Sequence, residues 1–437
     1  MVKSKKVGVI SLGCDKNRID TEKMLAILSE RHILTPDPED AEILIINTCA
    51  FLESSRKEAV EEILCGIELK DIGLEKVIVT GCLPQKFIGD IFDALPEVDA
   101  FLGVSDYCQI NDVIDKIYNG ERVNAVGIPR KECGQKRVLT TNGYAYLKIA
   151  DGCANHCTYC LIPKIRGKYR SVPIQDLIEE VNGLGRVNEL ILVAQDLTRY
   201  GQDLDENLDL TTLIQRLSEL ETVKSIRLLY CYPEGITDKL INEFKANPKL
   251  IKYIDVPFQH ADDRVLKLMN RKGTYESNLA LVSRLKSQVP DIAIRSTFIA
   301  GFPTETEDEF ERLIKFIESA KLTNAGFFKY SREKDTPAYK LEGQIPARIK
   351  ESRVRKLYRA QKKVVKEWAK AQVGKVYSVQ AEGFDEEQLI YYGRAYFNAP
   401  DVDGKIYFFS QEEVNFGDTI KVRIKKACEY DLYGDRV

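Results

Sequence analysis

Histidine is scarce in this chain, with three residues in 437. Sites built from imidazole ligands, and acid–base chemistry that needs a group titrating near neutrality, are therefore disfavoured. No uninterrupted apolar run approaches the ~18–20 residues that cross a bilayer, so no membrane partner is expected. The opening residues, Met-Val-Lys-Ser-Lys-Lys, lead directly into a strand-like run at 7–10. They lack the apolar stretch and small-residue cleavage site of a secretory leader, and a cytoplasmic protein is expected. A strongly basic balance is missing too. The formal net charge of −3 is not that of a dedicated nucleic-acid binder. What remains, 44% hydrophobic and 30% charged residues, describes a globular chain of two to four domains.

Cysteine is not scarce. Eleven residues, an odd number without a leader, suit a reducing compartment and metal ligation better than a disulfide framework. Three of them fall in one loop, Cys153-Ala-Asn-His-Cys157-Thr-Tyr-Cys160. Thiolates select zinc, copper(I) or iron–sulfur clusters. A closed zinc site needs four ligands, but His156 abuts Cys157 and no second Cys-x-x-Cys follows. Three thiolates suit three irons of a cubane cluster, leaving the fourth iron open, and an open position marks a catalytic metal. The bland alternative, three core thiols together by chance, leaves the regular spacing unexplained.

Residues 1–125 form the first domain. Apolar, β-branched runs at 6–11, 42–47 and 76–80 alternate with helical stretches at 20–29, 54–65 and 85–93, which predicts α/β architecture with a parallel sheet. Each run is followed at once by a cysteine: Cys14, Cys49 and Cys82. Parallel strands put their carboxyl ends on one edge, where α/β sheets bind ligands. The three thiols thus converge in a second three-thiolate site. Cysteine is also a common buried residue, but three in one register favour a cluster. Cys65, Cys108, Cys133, Cys231 and Cys428 show no such register and read as core or surface residues.

Residues 126–139, with Pro129 and charges such as Arg130 and Lys136-Arg137, read as a solvated linker. Over 140–370 six strand-like segments alternate with helices, which predicts a partial (β/α)6 barrel, short of the eight units of a full one. The Cys153 loop then follows the first strand, at the carboxyl mouth where barrels hold their chemistry. Gln195, Arg295 and His260 lie at or near strand ends and face the cavity in this reading. Gly301 would let the backbone approach a bound nucleoside, although a plain strand-to-helix turn explains it equally well. A helix is predicted over 347–371, with ten Lys/Arg against two Asp/Glu from Arg348 to Lys370. RNA contact through phosphate neutralisation is one use of it, and a solvated face the preferred one.

Residues 371–437 change texture to short alternating runs separated by turns, a small antiparallel β-barrel of oligonucleotide-binding type. This tail carries eight Lys/Arg and twelve Asp/Glu. RNA binding normally needs a basic surface, whereas an acidic module suits a basic protein partner.

The spacing Cys153-x3-Cys157-x2-Cys160, with Tyr159 before the last thiol, resembles the signature of the radical S-adenosylmethionine (SAM) superfamily. The tail resembles the TRAM domain, and the whole arrangement resembles the methylthiotransferase family. Ser11-Leu-Gly-Cys-Asp-Lys-Asn17, Ala194-Gln-Asp-Leu-Thr-Arg-Tyr-Gly201 and Pro257-Phe-Gln-His260 resemble its branch that methylthiolates an aspartate of ribosomal protein uS12. That resemblance implies two [4Fe–4S] clusters, on Cys153, Cys157 and Cys160 and on Cys14, Cys49 and Cys82. It also implies SAM as radical source and methyl donor, with Tyr159, Gln195, Arg295 and Gly301 as candidate cofactor-binding residues. No catalytic residue is singled out beyond the cluster ligands. The substrate implied is uS12 of the small ribosomal subunit, with a flavodoxin or ferredoxin as electron donor and no tRNA. The phrase around Gly301 matches the superfamily pattern only in part, and Thr304 stands where the family usually has glycine. A tRNA methylthiotransferase of the MiaB type and a non-catalytic iron–sulfur carrier are the two alternatives.

Overall fold

A computed structural model describes residues 2–130, 136–205 and 207–437; Cys133 lies outside them. The first domain is a six-stranded parallel sheet with helices on both faces. Its strands are β1 (Lys6–Ser11), β2 (Ile33–Thr35), β3 (Ile43–Thr48), β4 (Lys76–Gly81), β5 (Ala100–Leu102) and β6 (Val123–Ala125), in the order β2-β1-β3-β4-β5-β6. The long strands are the three predicted. The others have three residues each, too short to show a period. Burial on both faces explains the unbroken apolar runs: Leu44, Ile46, Val77 and Val79 pack to one side, Ile43, Ile45 and Ile78 to the other. The chain leaves β1 for β2 on one side and returns to β3 on the other, so the switch point falls between β1 and β3. Cys14 and Cys49 follow these two strands.

The linker is not wholly solvated. The side chain of Arg137 is completely buried, bonded to Glu180, to the Tyr146 carbonyl and to Glu22 of the first domain. A guanidinium out of water needs such partners, and they are supplied by elements distant in sequence.

The central sheet is β7 (Tyr144–Lys148), β10 (Glu189–Val193), β11 (Ile226–Leu228), β12 (Leu250–Asp255), β13 (Ala293–Ala300) and β14 (Asn324–Lys329), all parallel and paired in chain order. This is the expected six-stranded partial barrel. Between β7 and β10, β8 (Ala150–Asp151) and β9 (Arg170–Ser171) make a small antiparallel clip beneath the cysteine loop. Outward side chains such as Leu147, Leu192, Ile254 and Phe298 pack on the surrounding helices. Inward ones, including Tyr146, Val193, Leu229 and Tyr253, meet the other two domains.

The tail closes a five-stranded barrel of β15 (Val376–Asp385), β16 (Ile390–Arg394), β17 (Ile406–Phe409), β18 (Thr419–Cys428) and β19 (Asp431–Arg436). Four seams are antiparallel as expected, and β17–β19 is parallel. The connection between β16 and β17 stoppers the amino mouth of the central half-barrel. Arg394 meets Glu189 at 2.9 Å, Asp403 accepts from Tyr253 at 2.7 Å, and Arg227 donates to the Tyr396 carbonyl at 2.8 Å. The carboxyl mouth is left to the first domain, whose helix Asp15–Ser29 sits on it.

Candidate active site

The loop at 152–160 is held open by its backbone. Gly152 has φ +76°, and a Cβ there would lie 2.1 Å from the Lys168 carbonyl oxygen, so the turn requires glycine. Thr158 bonds the carbonyls of Met269 (3.1 Å) and Leu268 (2.7 Å), and Asn270 bonds that of His156 (3.0 Å). The Cys160 amide bonds back to the Cys157 carbonyl at 3.1 Å, a tight turn that gathers the last two thiols. Amides of Asn155 and Ile162 point at Sγ of Cys153 (3.5 Å) and Cys160 (3.4 Å). Burial pushes the Cys160 thiol up to about 12 and raises that of Cys153. These thiols therefore stay protonated until a metal displaces the proton.

The cysteines of the three strand ends are neighbours in the fold, Cys49 and Cys14 lying close enough to Cys82 to act on its thiol. Cys14 caps the helix Asp15–Ser29, Cys49 follows β3, and Cys82 is the first residue of the helix Cys82–Ile91. Two helix amino ends thus bring positive field to an anionic group there. Gly13 and Gly81, at φ +92° and +96°, make room: a Cβ would stand 2.6 Å from Cys49 Cβ and 2.3 Å from Asn47 Oδ1. Asn17 ties the site together, donating to the carbonyls of Leu12 (2.9 Å) and Thr48 (3.0 Å). Burial raises the Cys82 thiol to about 12, with Arg166 opposing.

Among the described residues no three Cys, His, Asp or Glu side chains are close enough to share one metal ion. A cubane makes no such demand, because each thiolate binds a different iron and the sulfurs stand at separate corners. Both triads supply soft donors alone, which fits iron–sulfur ligation and leaves a closed zinc site one ligand short.

Two connections join the triads. Arg166, completely buried, follows the cysteine loop and reaches across the domain boundary. It bonds Asn17 Oδ1 (2.7 Å), Asp20 (3.1 Å) and Asp151 (3.1 Å), with Cys82 Sγ at 3.9 Å. The second is the run 230–232 beyond β11. The Tyr230 hydroxyl bonds Asp15, beside Cys14, at 3.3 Å, and that of Tyr232 lies 3.2 Å from Cys157 Sγ. The run 230–232 thus touches the neighbour of Cys14 with one tyrosine and Cys157 with the other.

The remaining predicted residues divide. Tyr159 is half-buried, packed against the cluster of Val265, Met269, Phe302 and Tyr330, bracing the loop from behind. Gln195 donates to Asp151 at 3.2 Å while its Oε1 is buried without a partner, an acceptor left over for a ligand. Arg295 is instead committed to Asp255 (3.0 Å) and Asp403 (3.4 Å), because two buried carboxylates need its charge. Gly301, at φ +77°, is closely approached by Lys350, whose Cγ would be 2.4 Å from a Cβ. Its close neighbour is a helix side chain and not the cavity. His260 does not face the cavity either. It is completely buried, accepting from the Asp262 amide at 3.0 Å with Glu305 3.4 Å away. Arg166, Asn17, Tyr230, Tyr232 and Arg271, which lies over the Tyr232 ring at 3.7 Å, were not evident in the sequence. Only the positive φ of Tyr230 (+64°) sets any of them apart locally, and that is a property of the structure.

A three-cysteine loop at the carboxyl mouth of a parallel half-barrel defines the radical SAM class. Comparison with known proteins agrees. Residues 147–317 match the Radical SAM superfamily, 373–437 the TRAM domain, and 6–103 a group described as uncharacterized protein family UPF0004. The chain resembles the solved radical SAM methyltransferase TsrM of Kitasatospora setae at TM-score 0.57 and 13% identity, covering 77% of each chain. It resembles the cobalamin-dependent radical enzyme OxsB at 0.52 and 12%, covering 77% and 54%. At such identities the likeness is one of fold. Closer relatives carry the name ribosomal protein uS12 methylthiotransferase RimO. One from Clostridium tetani is 46% identical over 98% of this chain and 97% of its own, and one from Caldanaerobacter subterraneus 44% over 98% and 99%. The chain belongs to this RimO family of radical SAM methylthiotransferases. It is therefore an enzyme whose family uses SAM and a [4Fe–4S] cluster.

Proposed function

We propose that this enzyme inserts a methylthio group at the β-carbon of an aspartate of ribosomal protein uS12, with one [4Fe–4S] cluster on Cys153, Cys157 and Cys160 and a second on Cys14, Cys49 and Cys82. The observation that carries it is the meeting of two three-thiol sites at one domain boundary, where Arg166 reaches Cys82 and the run 230–232 reaches Asp15 and Cys157. A cluster at the first triad, when reduced, supplies the electron that splits SAM into methionine and a 5′-deoxyadenosyl radical; such radical chemistry lies beyond side-chain acid–base catalysis. The protein's part is positioning. The loop 152–160 presents the first triad to the barrel mouth, and Gln195 offers a spare acceptor beside it. The first domain lowers the second triad onto the same mouth and excludes water. The family name and the acidic tail both support a basic protein substrate. A cytoplasmic setting and a small one-electron donor such as flavodoxin or ferredoxin go with this reading.

Triple replacement of Cys14, Cys49 and Cys82 by Ala is expected to remove about half the iron of the reconstituted protein while 5′-deoxyadenosine still forms from SAM. Iron assay and chromatography read both quantities, and unchanged iron would refute the second cluster. Mass spectrometry of uS12 and of tRNA from cells with and without the protein tests the substrate. A methylthio mass that depends on this protein in tRNA alone would overturn the uS12 reading.

A further inference from the structure

Lys16 lies two residues beyond Cys14 and has a buried ammonium. It sits 3.3 Å from the centroid of the Tyr230 ring and 3.2 Å from Asp15 Oδ1. Three other buried cations beside the cysteines are committed to carboxylates: Lys148 to Asp20, Arg166 to Asp20 and Asp151, and Arg295 to Asp255 and Asp403. Arg271 belongs to the first triad's side, over the Tyr232 ring and 4.0 Å from Cys157 Sγ. The carboxylate contact of Lys16 is its own chain neighbour. An ammonium has three donors; one meets Asp15, and one face is turned to an aromatic ring. Asp15 is unfinished as well, since its Oδ2 is buried without a partner and its side chain is 7% exposed.

Tyr230 ties this pair to the reaction site. It adopts φ +64°, a left-handed conformation rare for an aromatic residue and found where the surroundings enforce it. Its hydroxyl bonds Asp15 and its amide donates to Asp255, and two residues on Tyr232 touches Cys157. Lys16 therefore stands two residues from Cys14 and against the run that reaches Cys157. Cys14 gives no side-chain cap to the helix Asp15–Ser29, so its first-turn amides add to the positive field.

An aspartate brought into a closed cavity carries a carboxylate that needs a cation, and its own backbone amide needs an acceptor. We propose that Lys16 receives the carboxylate of the substrate aspartate, held in place by Asp15 and Tyr230, and so selects an acidic side chain over a neutral one. This rests on the uS12 reading and names the residue that recognises its substrate.

The test uses the reconstituted full-length enzyme with two substrates, uS12 and uS12 carrying Asn at the target position. Affinity is measured alongside kcat/KM. The parent is expected to favour the aspartate form by about 30-fold or more, as for a buried charge pair. Lys16→Met is expected to bring the ratio within about threefold of unity, and Lys16→Arg, which keeps the charge, to restore most of it. A Lys16→Met enzyme with the parent's ratio would overturn the proposal, as would a Lys16→Arg ratio as low as that of Met. Should Lys16→Met fail to fold, Tyr230→Leu decides: a lowered ratio supports the proposal and an unchanged one overturns it. A parent enzyme that forms 5′-deoxyadenosine but neither binds nor modifies either form of uS12 sinks the uS12 reading instead.

Discussion

Arg166 shows how much one side chain can decide. Its guanidinium is completely buried between Asp20 of the first domain and Asp151 of the second, against Cys82. Removing one member of a buried ionic network strands the others and costs about 3–5 kcal/mol. Arg166→Met is expected to lower the melting temperature and to weaken retention of iron at the second triad, read by thermal melting and iron assay. Thr304 makes the opposite case. It is β-branched yet holds φ +67°, kept there by its amide on the Gly343 carbonyl (2.9 Å) and by Arg264 on its own carbonyl (2.7 Å). Strain of this kind is worth about 1–3 kcal/mol. Thr304→Gly, the residue usual in the family, is expected to stabilise the protein by about 1 kcal/mol after the lost bond from Arg264 to Thr304 Oγ1 (3.1 Å) and the freer unfolded chain. A lower melting temperature would contradict this.

At the scale of elements, the loop after β13 is organised by its acid. Glu305 Oε2 accepts from the amides of Gly301 (2.9 Å) and Phe302 (3.2 Å), while Oε1 meets Arg353 of the helix Ala347–Lys370 at 2.7 Å. The helix Glu307–Ala320 that follows starts on a capping box of Thr306 and Glu309, and Arg264 grips Glu309 with two nitrogens. That grip lowers the Glu309 carboxyl from 4.5 to about 2. A depressed carboxyl stabilises the fold above its unfolded value and loses that contribution as pH falls. The melting-temperature difference between parent and Glu309→Gln is thus expected at neutral pH, to shrink below pH 4.5, and to vanish near pH 2. Arg264 is half exposed, so the effect amounts to about 1 kcal/mol or less. A difference that persists at pH 2 would assign the effect to the cap alone.

At the scale of the molecule, the tail is part of the central domain's core. Its β16–β17 connection brings Arg394 to Glu189 and Asp403 to Arg295 and Tyr253. Asp403→Ala leaves the Arg295 guanidinium with Asp255 only among these partners and is expected to cost about 2–4 kcal/mol, and the tail and central domain are expected to melt together. Two separate transitions in calorimetry would show that the tail is an independent appendage. The predicted basic helix Ala347–Lys370 is also partly structural: Arg353 and Lys356 pair with Glu307, and Lys362 pairs with Glu429 of the tail.

Much of this was legible in the sequence. Cysteine spacing is local chemistry, so Cys153, Cys157 and Cys160 could be found directly. Parallel strands align their carboxyl ends by geometry, so Cys14, Cys49 and Cys82 could be brought together on paper. The six central strands were marked by their apolar runs. The three-residue strands β2, β5 and β6 were not, because so short a segment has no period to read, and the closing strand β19 follows too closely on β18 to announce itself. His260, Arg295 and Gly301 each meet a partner that the sequence could not name, for one shared reason: a strand end fixes where a side chain begins, not which partner claims it. In each case that partner, Glu305, Asp403 or Lys350, comes from a later part of the chain. The sequence by itself thus determined the fold class and which cysteines are the candidate ligands, because these rest on local pattern and spacing. Tertiary structure alone decided that Arg166 and the run 230–232 span the two triads, and that Lys16 waits beside Tyr230, because burial and long-range contact allot each charge its neighbours.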